Sequence, residues 1–380
     1  MTDTSAPSFP RSAEQLEPSW VRRILLPFFP DLPEIEAVGW ERMGTGQMGC
    51  NVRVRLDYGG CDVVHGPTTV VCKFASSDPT SRATGVALRS YEIETNFYRQ
   101  VAWRFPLPVP RCFFAGLDST TGEFVIVLED VAKAEPGDQL APCTLAQARS
   151  ALDALAAIHA ATWENRTLAE LDWLNRRDGE QRTQVVAFFQ AAAPAFLARY
   201  GASLEARHVR VLEDFAPRMP QWIELARGPF ALVHGDFRPD NLLFLRSRAA
   251  PYRTLVVDWQ TASWGPPIAD ATYFIGGAFE PQERRRYEGD LLLYYWEGLR
   301  RRGVRELSFL RCVEDHSIFA FSGMVMAVAA AMLVERTARG DDMFLTMFAR
   351  HAQHVIDIGA FSVFEPRRLA KLREPRHPVS

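Results

Sequence analysis

Cysteine is present but sparse and scattered. The six cysteines stand at positions 50, 61, 72, 112, 143 and 312 with no C-x-x-C pair. That distribution argues against a disulfide framework or a zinc site and reads as reduced, buried thiols. Neither sign of charge is in large excess: the formal net charge is -3 over 380 residues. A general attraction to nucleic acid or anionic lipid is therefore not expected. The N-terminal MTDTSAPSFPRS has neither a basic n-region nor an apolar h-region. It is not a secretory signal, so a cytoplasmic location is expected. Repeats, heptad arrays and low-complexity blocks are missing. Long hydrophobic runs are nearly so: only Ser317 to Val334 is uncharged over 18 residues, the lower limit for a membrane span. It is rich in Ala and contains Ser322 and Gly323, so it reads as the buried centre of a helical domain rather than a span. What the chain does have is apolar residues, 47% of the total, enough for a large core and two or three domains.

The most informative stretch is LVHGDFRPDNLLFLRSRAAPYRTLVVDW, Leu232 to Trp259. Asp236 and Asn241 are five residues apart, the interval of H-R-D-x-x-x-x-N in a kinase catalytic loop, with Gly235 in place of the Arg. Two short apolar runs follow, Leu242 to Leu245 and Leu255 to Val257, around a polar segment containing Pro251. They read as a β-hairpin. Antiparallel pairing sets the start of one strand beside the end of the other, bringing Asn241 near Asp258. That pattern suits a catalytic base, Asp236, with two Mg²⁺ ligands, Asn241 and Asp258.

The HGDxxxxN…VDW pattern resembles the aminoglycoside phosphotransferase and choline kinase superfamily. The variant VLED…HGDFRPDN…VDWQ is most similar to its ecdysteroid-kinase-like branch. The resemblance implies an α+β, bilobal protein-kinase-like fold with a small β-rich N-lobe and a larger, mostly helical C-lobe. It also implies transfer of phosphate from ATP to the hydroxyl of a small molecule.

Other parts of such an enzyme occur in order. Gly44, Gly46 and Gly49 form a G-x-G-x-x-G. Val52, Val54 and Leu56 then alternate with Arg53, Arg55 and Asp57, which is strand period rather than the helix of a Rossmann turn. Glycines followed by a strand suit phosphate binding by backbone N–H groups, although a flexible hairpin turn reads the same way. Lys73 ends the apolar run Thr69 to Phe74, where a buried ammonium needs a partner. In the kinase pattern it contacts the α and β phosphates and pairs with a helix Glu. ETNFYRQV resembles the family's E-x-x-F-Y helix, within an expected helix from Arg89 to Trp103. Glu94 is the chosen partner and Glu92 the alternative. The strand Glu123 to Leu128 leads into Glu129-Asp130, which matches the family's hinge. The resemblance places adenine against backbone groups around Glu129 and Val131; an ordinary strand exit is the other reading.

From Thr144, a plausible N-cap, the chain turns helical. Further helices are expected over 180–200, 204–226, 281–302, 308–336 and 341–358. His159, on an apolar helix face, reads as a satisfied core histidine. His234, Arg238, Asp240 and Asp270 read as supports of the loop, Asp270 by capping a helix. The expected organisation is a flexible tail over 1–17, a nucleotide-binding N-lobe over 18–130, a catalytic and substrate-binding C-lobe over 131–366 and a basic tail over 367–380. The expected activity is ATP- and Mg²⁺-dependent phosphorylation of a small-molecule alcohol. The rival is a catalytically inert nucleotide-binding scaffold. An intact Lys, Glu, Asp, Asn, Asp set argues against it.

Overall fold

The computed structural model describes residues 9–44, 48–60, 65–175 and 179–365. The chain divides into two compact units. One comprises Met1–Arg104, Val109–Lys133 and Asp258–Gln260, and the other Phe105–Pro108, Ala134–Val257 and Thr261–Ser380.

The smaller unit opens with helix α1 (Pro18–Leu25), followed by strands β1 (Ala37–Met43), β2 (Gly49–Asp57) and β3 (Thr69–Ala75). Helices α2 (Pro79–Ala87) and α3 (Ser90–Asn96) and strands β4 (Cys112–Asp118) and β5 (Glu123–Glu129) complete it. The strands form one sheet in the order β1-β2-β3-β5-β4, antiparallel throughout. The alternation along β2 decides its faces. Val52, Val54 and Leu56 are buried, with Val52 opposite Cys72 and Val54 opposite Val70. Trp20, Val21, Ile24 and Leu25 of α1 join the same core. So do Ala13 and Leu16, although residues up to 17 were expected to be loose. Ala13, opening a short 3-10 turn (Ala13–Gln15), and Leu16 just after it anchor that segment. The sequence reading missed α2, whose start is marked by Asp78 accepting from the Ser81 N–H at 2.7 Å and by Pro79 at its first position. The helix expected over 89–103 begins at Ser90 and passes into a π-helical turn, Phe97–Val101.

The larger unit holds β6 (Glu135–Pro136), α4 (Leu145–Thr162), α5 (Arg166–Ala169), α6 (Gly179–Tyr200), α7 (Ala206–Phe215) and α8 (Met219–Ile223). Then come β7 (Ala231–Val233), β8 (Leu242–Arg246), β9 (Tyr252–Val256) and β10 (Ser263–Gly265). It ends with α9 (Ile268–Gly277), α10 (Pro281–Arg301), α11 (Phe309–Phe319), α12 (Ser322–Leu333) and α13 (Ala338–Asp357). The expected hairpin forms from β8 and β9, with Leu242 opposite Val256, and β6 adds a third strand. β7 pairs with β10. Thr144 starts α4 with a reciprocal capping box to Gln147.

Two expected long helices are broken. Pro217 and Pro220 lie where the helix read over 204–226 divides into α7, a 3-10 turn and α8, since proline removes a backbone donor and crowds the preceding turn. The helix read over 308–336 divides at Ala320–Phe321. Among the described residues, two stretches could cross a membrane by length and composition alone: Phe309–Leu333, about half buried, and Gly179–Ser203, which the sequence reading did not single out. The described cysteines are free thiols. Cys72 is wholly buried, and burial pushes its thiol up to about 12.

Candidate active site

The larger unit builds the HGD loop from backbone outward. Gly235 follows β7 in the left-handed region, at φ +82°, and a Cβ there would lie 2.7 Å from the Thr261 carbonyl oxygen. Only glycine takes that turn without strain, which gives Gly235 a structural reason in H-G-D. Thr261 Oγ1 donates to the His234 carbonyl at 2.7 Å. His234 Nδ1 accepts from the Asp236 N–H at 3.3 Å. Its Nε2 therefore carries the proton and donates to the Val257 carbonyl at 3.0 Å. Asp270, in the first turn of α9, accepts from the N–H groups of His234 and Gly235 at 2.6 and 3.0 Å. It caps the loop rather than its own helix. His159 is fully buried and bonded to Tyr295 and Asp270, as a core histidine should be.

Three donors hold the Asp236 carboxylate. Tyr273 Oη donates to Oδ1 at 2.7 Å, while Asn241 Nδ2 and Arg238 Nε donate to Oδ2 at 3.0 and 3.1 Å. Burial alone pushes this carboxyl up, but the Arg238 guanidinium and the Tyr273 hydroxyl outweigh it and leave it below its ordinary value. Asp236 is thus an ionised acceptor of fixed direction. Asn241 also donates Nδ2 to the Asp236 carbonyl at 2.9 Å. With its amide nitrogen committed, Asn241 offers its carbonyl oxygen as the ligand atom. Arg238 bonds Asp240, which also accepts from the Gln139 N–H. The sequence reading missed Tyr273. A signal was available: it lies three residues beyond Asp270 on one helix face, and a buried tyrosine hydroxyl needs a partner.

In the smaller unit, β3 carries Lys73 and α3 carries Glu94. Lys73 Nζ is 2.7 Å from Glu94 Oε2 and 2.8 Å from Asp258 Oδ1. Burial alone would lower this lysine, but the Asp258 and Glu94 carboxylates outweigh it and raise it, so it stays charged. Glu92 pairs with Arg89, which leaves Glu94 as the glutamate on Lys73. The same E-x-x-F-Y segment does a second job. Phe97 stacks on Trp259 at 4.0 Å between centroids, with the planes 7° apart. That stack anchors the residue next to Asp258, which itself sits at φ +67°. Gly49 packs against Lys73: a Cβ there would meet the Phe74 oxygen at 3.2 Å and Lys73 Cε at 3.3 Å. Gly44 adopts φ +65°, and Gly46 lies outside the described residues. Glu129 ends β5, exposed, with its N–H on the Arg111 carbonyl at 2.8 Å, and Val131 is half-buried just beyond it.

Each unit therefore carries its own set of buried, fixed charges. The smaller has a charged lysine fixed by two carboxylates, one of them, Asp258, with an oxygen available to a hard cation. The larger has an ionised aspartate fixed by three donors, with an amide oxygen beside it. Oxygen donors of these types suit Mg²⁺.

The profile of the phosphotransferase enzyme family matches residues 63–304. No curated protein matches the sequence. A solved aminoglycoside 2'-phosphotransferase-IIIa, determined as its GDP complex, is 16% identical with a TM-score of 0.51 over 89% of this chain and 99% of its own. Plasmodium vivax ethanolamine kinase is 9% identical with a TM-score of 0.52 over 93% of this chain and 89% of its own. At such identities the likeness is one of fold: α+β and protein-kinase-like, with a small β-rich part and a larger helical one. The chain belongs to the phosphotransferase enzyme family.

Proposed function

We propose that this protein is an ATP- and Mg²⁺-dependent kinase of a small-molecule alcohol, and that it works in the cytoplasm with no nucleic-acid partner and no membrane span of its own. The observation that carries the reading is the Asp236 carboxylate, held ionised by Tyr273, Asn241 and Arg238 in the HGDxxxxN loop. In this reading an acceptor hydroxyl binds to Asp236, which aims it and takes its proton. The hydroxyl oxygen forms a bond to the γ-phosphorus as the bond from that phosphorus to the β–γ bridging oxygen breaks, and ADP leaves. Lys73, positioned by Glu94, holds the α and β phosphates. Gly44, Gly46 and Gly49 approach them through backbone, and the adenine lies against the backbone around Glu129 and Val131. Asn241 of the larger unit and Asp258 of the smaller are the residues that would hold magnesium, which would supply charge to screen the phosphates. This is positioning and electrostatics, as phosphoryl transfer requires. Among named branches, VLED and HGDFRPDN favour the ecdysteroid-kinase-like one.

The inert scaffold is separated by turnover. Purified protein with ATP, Mg²⁺ and a panel of aminoglycosides, macrolides, choline, sterols and sugars should release ADP only when both metal and a suitable alcohol are present. Nucleotide binding with no turnover across the panel would favour the scaffold. Running GTP in parallel settles the base preference, because one solved relative was determined with GDP.

A further inference from the structure

Three helices of the larger unit bring two imidazoles and one carboxylate to a single point. Glu288 lies on α10, His316 on α11 and His354 on α13. The Nε2 atoms of His316 and His354 lie 2.8 and 2.6 Å from the same oxygen, Glu288 Oε1. The three candidate ligand atoms are within 4.8 Å of one another. Both histidines are buried, His354 completely, and the Glu288 side chain is only slightly exposed.

Polar partners hold His316 and Glu288 from behind. The second nitrogen of His316, Nδ1, is 2.9 Å from Thr272 Oγ1. The second carboxylate oxygen, Glu288 Oε2, takes Arg284 Nη1 at 2.5 Å. Arg284 is itself answered by Asp357. Partners of this kind orient metal-bound imidazoles and carboxylates from behind. His354 Nδ1 is buried and has no hydrogen-bond partner. A Cβ on Gly276 would come within 2.6 Å of it, so the imidazole fits only because position 276 has no side chain.

We propose that Glu288, His316 and His354 bind a divalent transition-metal cation, zinc first, as a structural clamp on α10, α11 and α13. Two imidazole nitrogens and one carboxylate oxygen form a borderline donor set suited to Zn²⁺ and unlike the oxygen-only sets that hold Mg²⁺. Ligand bonds of about 2.0–2.2 Å in tetrahedral geometry set donor atoms roughly 3.3 Å apart. Reaching that from the present spacing takes side-chain shifts of about 1 Å or less. Water completes the coordination from the partly exposed side of Glu288. The scarcity of paired cysteines does not bear on this site, because its donors come from positions 288, 316 and 354 and follow no short motif.

The site also lies one helical turn from the proposed catalytic loop's support. His351, three residues before His354 on α13, stacks on Tyr273 at 5.2 Å with planes 11° apart. Tyr273 bonds Asp236.

The test uses the full chain and zinc itself, and does not depend on activity. Protein stripped with chelator and dialysed against Zn²⁺ in excess Mg²⁺ should retain one zinc per chain and melt at a higher temperature. The zinc X-ray absorption edge should show a nitrogen and oxygen shell with imidazole scattering and no sulfur. His316→Gln with His354→Gln should lose the retained zinc, and Thr272→Val should weaken binding about tenfold. Asp258→Ala should leave zinc content unchanged, which separates this site from the proposed magnesium ligands. No zinc or Co²⁺ retained by wild type above the double variant, or a sulfur-containing shell in wild type, would overturn the proposal. The spectrum of wild type keeps the test decisive if a variant fails to fold.

Discussion

Both units set one cation between two carboxylates, but the group that matters is the cation in the smaller and a carboxylate in the larger. In the smaller, one lysine answers two carboxylates, Lys73 with Glu94 and Asp258. In the larger, one arginine answers two carboxylates, Arg238 with Asp236 and Asp240. Burial works against charge in both places, and neighbours restore it: upward for Lys73, downward for Asp236. The difference lies in what holds the charged group still. Lys73, on a strand, is fixed by the carboxylates of one helix residue and of one residue in an αL turn. Asp236 is fixed by a loop whose backbone N–H groups are capped by Asp270 and whose carboxylate takes a neutral hydroxyl from Tyr273. The first arrangement suits an anion-binding ammonium; the second suits a carboxylate that must keep its direction while taking a proton.

The comparison breaks most sharply at Asp236. Asp236→Asn keeps the shape and removes the ionised acceptor, so turnover should fall by about 10²- to 10⁴-fold while nucleotide binding persists. Steady-state kinetics beside nucleotide titration checks this, and turnover within a factor of a few of wild type would remove Asp236 as the base. Asp258→Ala should cost more Mg²⁺-dependent nucleotide affinity than Asn241→Ala, because a carboxylate is the stronger ligand for a hard cation. Titrating ATP at several Mg²⁺ concentrations measures both, and equal metal dependence in the two variants would contradict the assignment.

Lys73→Met probes stability. It strands the buried Glu94 carboxylate without its cation, and breaking such a pair costs about 3 kcal/mol. Chemical denaturation reads the change; Glu94→Gln alongside Lys73→Met should recover part of it. Tyr273→Phe is the mildest. Asp236 sits below its ordinary value, so its ionised form stabilises the fold above about pH 4 and that contribution fades as pH falls through the lowered value. Removing the hydroxyl should move the acid limb of kcat/KM up by about one unit. An unmoved limb would mean that Tyr273 only packs.

The smaller unit's charges were largely legible in the sequence. A lysine ending an apolar strand and a glutamate three residues before Phe97 carry their own signal, because a buried ammonium must be paired. β2 was legible for a simpler reason, the period-two alternation of Val52, Val54 and Leu56. The larger unit was legible only in part. The hairpin, the Thr144 cap and the HGD loop could be read from local pattern. Tyr273 and the Glu288–His316–His354 cluster could not, since their meaning depends on helices meeting in space. The broken helices misled because apolar periodicity continues across Pro217, Pro220 and the Ala320–Phe321 break. The anchored residues 13–16 misled because a polar, proline-containing N-terminus hides two apolar anchors.

After Asp258 the chain passes through residues 259–267 directly into α9. A protein kinase carries an activation loop and its phosphosite in that place. We therefore propose that the acceptor is one compact alcohol and that no prior phosphorylation is needed. Mass spectrometry tests it most directly. Protein made without any partner kinase is incubated with ATP, Mg²⁺, the alcohol panel and generic protein acceptors. The expected result is one small alcohol gaining a single phosphoryl group, with the proteins unmodified. Efficient labelling of the proteins, with no alcohol modified, would contradict it.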